Sequence, residues 1–116
     1  MWYTAKAKKE TRIKREADRL REIFSTLDQN KLSAVQTLID RAAYLTVSLE
    51  DLEQEIDASG WTEEYCNGKE QTGIKQSAAA SLHVSLTKNL TAIMKQLIEL
   101  VPPAQRGNTL LGMMRK

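Results

Sequence analysis

Apolar residues recur along most of this chain at alternating spacings of three and four, which is the period of one helix face. The pattern predicts three long helices, at about 4–27, 31–58 and 78–101. A polar connection at 59–76 separates the second helix from the third, and residues 104–116 are expected to form a flexible basic tail. The predicted fold is all-α, with a single helical domain at 1–103 that contains a helical hairpin.

The second predicted helix has the clearest periodicity. Its apolar stripe runs through three heptads, from Val35 to Ile56. A heptad repeat of this length keeps one seam facing a partner helix, as in a coiled coil. Helices of about 25 residues are roughly 37 Å long, which is too long for one small chain to bury every stripe. The pattern predicts a homo-oligomer with a coiled-coil-like core. The predicted interface residues are Leu38, Leu45, Leu49, Leu52, Leu90 and Leu97.

Polar residues, glycine and proline mark the ends of the predicted helices. Asp28 and Asn30 are both candidate N-caps for the second helix, and Gly60 is placed to end it in the left-handed conformation. Ser77 is the predicted cap of the third helix, which Pro102-Pro103 should stop. These residues therefore predict where the second and third helices begin and end.

The connection itself contains Asn67-Gly68, the preferred dipeptide of a tight two-residue turn. Its flanking arms alternate poorly between apolar and polar residues, so we expect a loop with at most a rudimentary hairpin. Trp61 is expected to fold back on the end of the second helix and hold the connection in place.

Candidate catalytic chemistry is sparse. His83 is the only histidine and Cys66 the only cysteine, and neither has metal-ligand spacing around it. The sequence has no glycine-rich phosphate loop, and the acidic residues from Glu50 to Asp57 are expected to form a solvated helix face. These features predict a protein that is not an enzyme and has no cofactor or metal. The single cysteine and the lack of a long apolar run predict a reduced, cytosolic protein without a membrane span.

The net charge of +2 conceals a segregation along the chain. Residues 1–21 carry eight Lys or Arg against three Asp or Glu, and residues 22–64 carry two against ten. Residues 65–116 are basic again, with seven against two. Segregation of this kind favours a molecule with one face for a polyanion and another for different contacts.

Cations on the first predicted helix recur at spacings of four, three and four. They are Lys8, Arg12, Arg15 and Arg19. We expect this cation stripe to lie on the exposed side, opposite the apolar stripe that runs from Ile13 to Leu27, where it can follow a DNA phosphate backbone. The alternative is an ordinary soluble face whose cations pair locally with Glu10, Glu16 and Glu22.

The segment Y-C-N-G-K-E-Q-T-G-I-K (Tyr65 to Lys75) lies between two long helical patterns. Before it comes L-I-D-R-A-A-Y-L-T-V-S-L-E-D-L-E (Leu38 to Glu53), and after it a helix that ends K-Q-L-I-E-L-V-P-P (Lys95 to Pro103). The arrangement resembles the small terminase subunit of tailed bacteriophages, in the branch with a long helix, an N-G-x-x-Q-x-G-x-K-x-S connection and a final helix stopped by proline. The resemblance covers a little over half of the chain.

Small terminase subunits generally assemble into rings, recognise the viral DNA to be packaged, and regulate the large subunit that carries the ATPase and nuclease. The resemblance implies duplex DNA, the large terminase subunit and further copies of this chain as partners, in the host cytoplasm. The cation stripe would contact DNA. The tail would contact the large subunit through Leu110, Leu111, Met113 and Met114.

Many members of the wider family carry an N-terminal helix-turn-helix domain, whereas the first two predicted helices are too long for that motif. The expected contact is therefore with the DNA backbone rather than with base edges in the major groove. A second interpretation stays open, in which the chain is a helical scaffold or adaptor that binds another protein and not DNA.

Overall fold

The computed structural model describes residues 2–66, 68 and 71–115, without the side chains of residues 2–7. It is mostly helical, at 76%, and contains a small two-stranded hairpin. A 3-10 turn at Pro103–Gln105 precedes the last described helix. The elements are α1 (Trp2–Ile23), α2 (Gln29–Ala34), α3 (Gln36–Ser59), β1 (Thr62–Cys66), β2 (Thr72–Gln76), α4 (Ala78–Glu99) and α5 (Arg106–Met114).

Helix α3 is the central element, and both α1 and α4 pack along it. The direction of α1 follows from two side-chain contacts. Arg21, near the end of α1, donates to Gln36 at the start of α3, whereas Arg12 reaches Asp51 near the end of α3. Helix α1 is therefore antiparallel to α3. The molecule is elongated as a result, with extents of 63 × 35 × 22 Å.

The main hydrophobic core lies at one end of the bundle, where the end of α1, the start of α3 and the end of α4 meet. Phe24, Ile39 and Leu97 are fully buried there. Ala42 and Ala43 on α3 are also fully buried, and their small side chains let the neighbouring helices approach closely. The β hairpin lies beyond the opposite end of α3, away from this core.

Three residues predicted to mark helix ends, Asp28, Gly60 and Ser77, lie at helix ends in the structure. The side chain of Asp28 accepts the Lys31 N–H at 2.9 Å, and the hydroxyl of Ser77 accepts the Ala80 N–H at 3.1 Å. Gly60 follows the last residue of α3 with φ 97° and ψ 160°. It ends the helix as predicted, although in an extended conformation open only to glycine rather than in the left-handed helical one.

Three segments differ from the expectation. The second predicted helix, 31–58, is divided at Val35, whose φ of −95° and ψ of 1° end α2 before α3 begins. The first predicted helix ends at Ile23 rather than residue 27, and residues 24–26 form a turn. Residues 104–116, expected to be a flexible tail, contain α5 instead.

The polar connection at 59–76 forms a regular antiparallel hairpin rather than a loop. Its five pairs run from Thr62 opposite Gln76 to Cys66 opposite Thr72. Asn67 and Lys69 lie outside the described residues. The residues of β1 are all exposed, so the backbone ladder, not apolar burial, holds the two strands together.

Candidate nucleic-acid interface

The four cations of the predicted stripe all lie on α1, but they do not share one environment. Lys8 and Arg15 are exposed, and neither makes a hydrogen bond or ion pair with a described residue. Arg12 and Arg19 are half-buried and bonded within the chain. The expectation that the whole stripe lies on the exposed side is therefore wrong for these two arginines.

Arg12 lies at the boundary between α1 and α3. Its Nη1 donates to Oδ1 of Asp51 at 2.7 Å, and its Nη2 donates to Oε1 of Glu50 at 3.2 Å. The hydrogen bond to Asp51 is the largest cause that raises the pKa of the Arg12 guanidinium, and the nearby Glu50 adds to it. Lys9 is 4.0 Å from the same Asp51 carboxylate. The basic first block of the sequence thus neutralises part of the acidic second block when α1 packs on α3.

Arg19 is bonded on both sides. It donates from Nη2 to Oε1 of the buried Glu16 at 2.6 Å, and from Nε to both oxygens of that carboxylate. On its other side, Nη1 donates to the carbonyl oxygens of Gly112 at 3.1 Å and Arg115 at 2.9 Å. Nη2 also reaches the carbonyl of Met113 at 3.4 Å. Arg19 therefore caps the last carbonyls of α5 and is not available as a simple surface cation.

A cleft of about 400 Å³ lies between α1 and α3, and three arginines of the cation stripe, Arg12, Arg15 and Arg19, line it. Because two carboxylates line it together with three arginines, an anion that enters must compete with existing ion pairs. The lining residues are Arg12, Arg15, Glu16, Arg19, Val47 and Glu50.

The predicted oligomer residues divide into an inner and an outer set. Leu97 is fully buried in the main core and Leu49 is 8% exposed, so both serve packing within one chain. Leu45 is half-buried and lines a second cleft, of about 410 Å³, between α3 and α4. Leu97 and Leu49 therefore leave little surface for a contact with a second copy of the chain. Leu38, Leu52 and Leu90 are also half-buried.

The four residues predicted to contact the large subunit lie on α5, where they point in two directions. Leu110, Leu111 and Met114 are exposed, with Met114 at 73%. Met113 instead packs against the main core. Gly112 lies beside Ile23 of α1. A Cβ atom at position 112 would be 3.5 Å from the Ile23 side chain.

Trp61 was expected to fold back on the end of the second helix, but the contact that it makes with α4 was not predicted from the sequence. Trp61, just before β1, packs edge-on against His83 of α4, and the imidazole Nε2 of His83 lies 3.1 Å from Oε2 of Glu53 on α3. The acidic face of α3 was expected to be solvated, yet Glu50, Asp51 and Glu53 all have partners in the fold. The only available signal was that the single histidine and a tryptophan flank the same connection.

Within the part of the chain that the structure describes, no three His, Cys, Asp or Glu side chains are grouped as metal ligands. None of the described helices is long and apolar enough to cross a membrane. No protein-family model, curated protein or solved structure matches the chain.

Proposed function

We propose that this chain is a small terminase subunit of a tailed bacteriophage, which forms a homo-oligomer, binds the duplex DNA to be packaged and regulates the large ATPase and nuclease subunit. The observation that carries the proposal is that residues of the terminase-like connection have defined conformational roles between α3 and α4. Gly68 has a φ of 93°, which other residues rarely adopt. Ser77 caps α4.

Gly73 supports the same proposal through its contact with the facing strand. It is paired with Tyr65 across the hairpin, and a Cβ at position 73 would lie 2.6 Å from the tyrosine hydroxyl. A side chain there would displace the Tyr65 ring from its place over the strand. The two glycines and the serine of the terminase-like pattern thus stand at positions where the connection uses them, which supports the proposal.

Self-association is supported by apolar surface that one chain leaves open. The cleft between α3 and α4 is more apolar than polar, and its lining residues are Arg41, Tyr44, Leu45, Asn89, Ala92 and Ile93. Further along α4, Leu82 and Val84 are exposed. Exposed apolar surface on a small protein is typical of a protein contact, and a second copy of the chain fits the proposed ring.

DNA contact is proposed for the exposed cations of α1 rather than for the full stripe. Lys8 and Arg15 keep their charges free of described partners, whereas Arg12 and Arg19 are committed to internal ion pairs. Each phosphate contact contributes about −0.9 to the slope of log affinity against log salt concentration. Two cations predict a slope of about −2 for each engaged subunit, and a multiple of this if several subunits of a ring bind one duplex.

The test is a titration of labelled duplex DNA by fluorescence anisotropy at several salt concentrations. The variant Lys8→Gln/Arg15→Gln should lose most of the affinity and flatten the salt slope. The matched control, Lys88→Gln/Lys95→Gln, removes the same charge from exposed positions of α4. Equal losses in both variants would show a general effect of charge and reject a specific contact on α1. A loss in the α4 variant alone would move the contact to α4, and absence of binding by the wild type would reject the DNA-binding part of the proposal.

A second candidate function is a helical adaptor that binds another protein and not DNA. The observation that favours it is the internal neutralisation of Arg12 and Arg19, which leaves less basic surface than the sequence suggested. The same titration separates the two candidates, because an adaptor would show no salt-dependent affinity for duplex DNA.

A further inference from the structure

Helix α5 has low intrinsic stability. It has nine residues, and isolated helices shorter than about 12 residues are marginal in water. Gly107 and Gly112 lie inside it, and each glycine is about 1 kcal/mol less favourable in a helix than alanine. The helix therefore depends on its contacts with the rest of the chain.

Two arginines fasten the two ends of α5. At its start, Arg106 donates from Nε to the carbonyl of Val101 at 2.9 Å and from Nη2 to that of Glu99 at 3.2 Å. At its end, Arg19 of α1 donates to the carbonyls of Gly112 and Arg115. The contacts of Arg106 are local, with residues just before α5, whereas Arg19 is distant in sequence. The far end of α5 is thus held by a residue of α1, the helix proposed to contact DNA.

We propose that α5 is a latch that Arg19 holds closed, and that a polyanion bound along α1 opens it by competing for that arginine. The second half rests on the proposed function. Phosphate oxygens form stronger hydrogen bonds with a guanidinium than neutral carbonyls do. A phosphate can therefore replace the α5 carbonyls at Nη1 while Nε and Nη2 of Arg19 keep their ion pair with Glu16. Arg19 lines the cleft beside the exposed Arg15, which places it within one surface that a duplex on α1 would cover.

Release of α5 would change which of its apolar side chains can contact a partner. In the closed state, Leu110, Leu111 and Met114 are exposed, but Met113 is packed against the core. Once released, all four side chains can enter one contact, and α5 can refold against the partner as an amphipathic helix. DNA binding on α1 would thereby increase the availability of the segment proposed to contact the large subunit.

The latch is tested by hydrogen exchange of the α5 amides, measured by mass spectrometry on the full chain. Because Arg19→Gln alone would remove the arginine that is ion-paired with the buried Glu16 carboxylate, the variant is Glu16→Gln/Arg19→Gln. Loss of charged hydrogen bonds to the end of α5 should speed exchange there by about tenfold or more. The control is Arg15→Gln, an exposed neighbour in the same stripe, which should leave α5 unchanged. Unchanged exchange in the double variant overturns the latch, provided that circular dichroism shows the same helix content.

The polyanion arm uses the wild type with a short duplex DNA of arbitrary sequence. Bound DNA should speed exchange in α5 of the wild type and add nothing in the double variant. DNA that binds without changing α5 overturns the coupling but leaves the DNA contact intact. If DNA does not bind, the DNA part of the proposed function fails and polyanion control fails with it, while the double variant still decides whether Arg19 holds α5.

Discussion

The indole of Trp61 meets the imidazole of His83 edge-on, with ring centroids 5.5 Å apart and an interplanar angle of 80°. The same imidazole contacts Glu53 of α3 through Nε2. Since Trp61 directly precedes β1, this pair fastens the base of the hairpin to both long helices. The hairpin, which buries almost no apolar surface of its own, depends on that attachment for its orientation.

Replacing Trp61 by alanine should loosen the hairpin without unfolding the bundle. An edge-to-face aromatic pair contributes about 0.5–1.5 kcal/mol, so amide exchange in β1 and β2 should become at most about tenfold faster. Exchange in α1 should not change. The control is Ile74→Ala on the same hairpin, where the side chain is 72% exposed. If both variants loosened the strands equally, the Trp61–His83 contact would have no special role.

Two glycines allow a paired test of backbone conformation. Gly60→Ala forces a side chain into φ 97° and ψ 160°, which should lower the free energy of unfolding by about 1–3 kcal/mol. Gly107→Ala lies inside α5, where no atom comes within 4 Å of an added Cβ, and should raise stability by up to about 1 kcal/mol. Urea denaturation measures both. Similar changes of the same sign would contradict the conformational argument.

Leu45 and Leu97 both belong to the predicted oligomer interface, yet aspartate should affect them differently. Leu97 is fully buried in the monomer core, and an unpaired charge there costs several kcal/mol, enough to unfold a small domain. Leu45 lines the open cleft between α3 and α4, so Leu45→Asp should keep the helix content but reduce the mass in solution.

Circular dichroism measures the helix content, and light scattering measures the mass in solution. The control is Gln54→Asp, at an exposed position on the same helix as Leu45. A wild type that is monomeric at tens of micromolar would reject self-association altogether. Loss of helix content in Leu45→Asp would show that this residue is part of the monomer core.

The Arg12–Asp51 pair should contribute only modestly to stability, because both side chains are more than one third exposed. A double-mutant cycle with Arg12→Gln and Asp51→Asn should give a coupling of up to about 1 kcal/mol, which decreases with added salt. Repeating the cycle with Arg15→Gln in place of Arg12→Gln should give no coupling. A large, salt-independent value would mean that the pair is better shielded than its exposure indicates.

The long helices could be predicted because their apolar periodicity and caps are local properties. Asp28, Ser77 and Gly60 act where the sequence placed them, since a cap needs only residues within one turn. The hairpin could not be predicted in the same way. Its arms are almost wholly exposed, so no alternation of apolar and polar residues marks them.

The candidate site was only half predictable, for a different reason. Helical spacing gives the angle of a side chain around α1, but not the width of the face that neighbouring elements cover. Arg12 and Arg19 lie at the edges of that face, where α3 and α5 supply Asp51 and the carbonyl of Gly112 as partners. Those partners are 39 and 93 residues away in sequence, beyond the reach of any local pattern.

The length of the bundle also decides how its mass can be measured. The radius of gyration is 18.2 Å, whereas a compact chain of this length would have about 13 Å and one of twice the length about 17 Å. A single subunit is therefore about as large in solution, by radius of gyration, as a compact globular dimer. On a size-exclusion column calibrated with globular standards, the monomer would elute where a dimer is expected, and a true dimer would pass for something larger still.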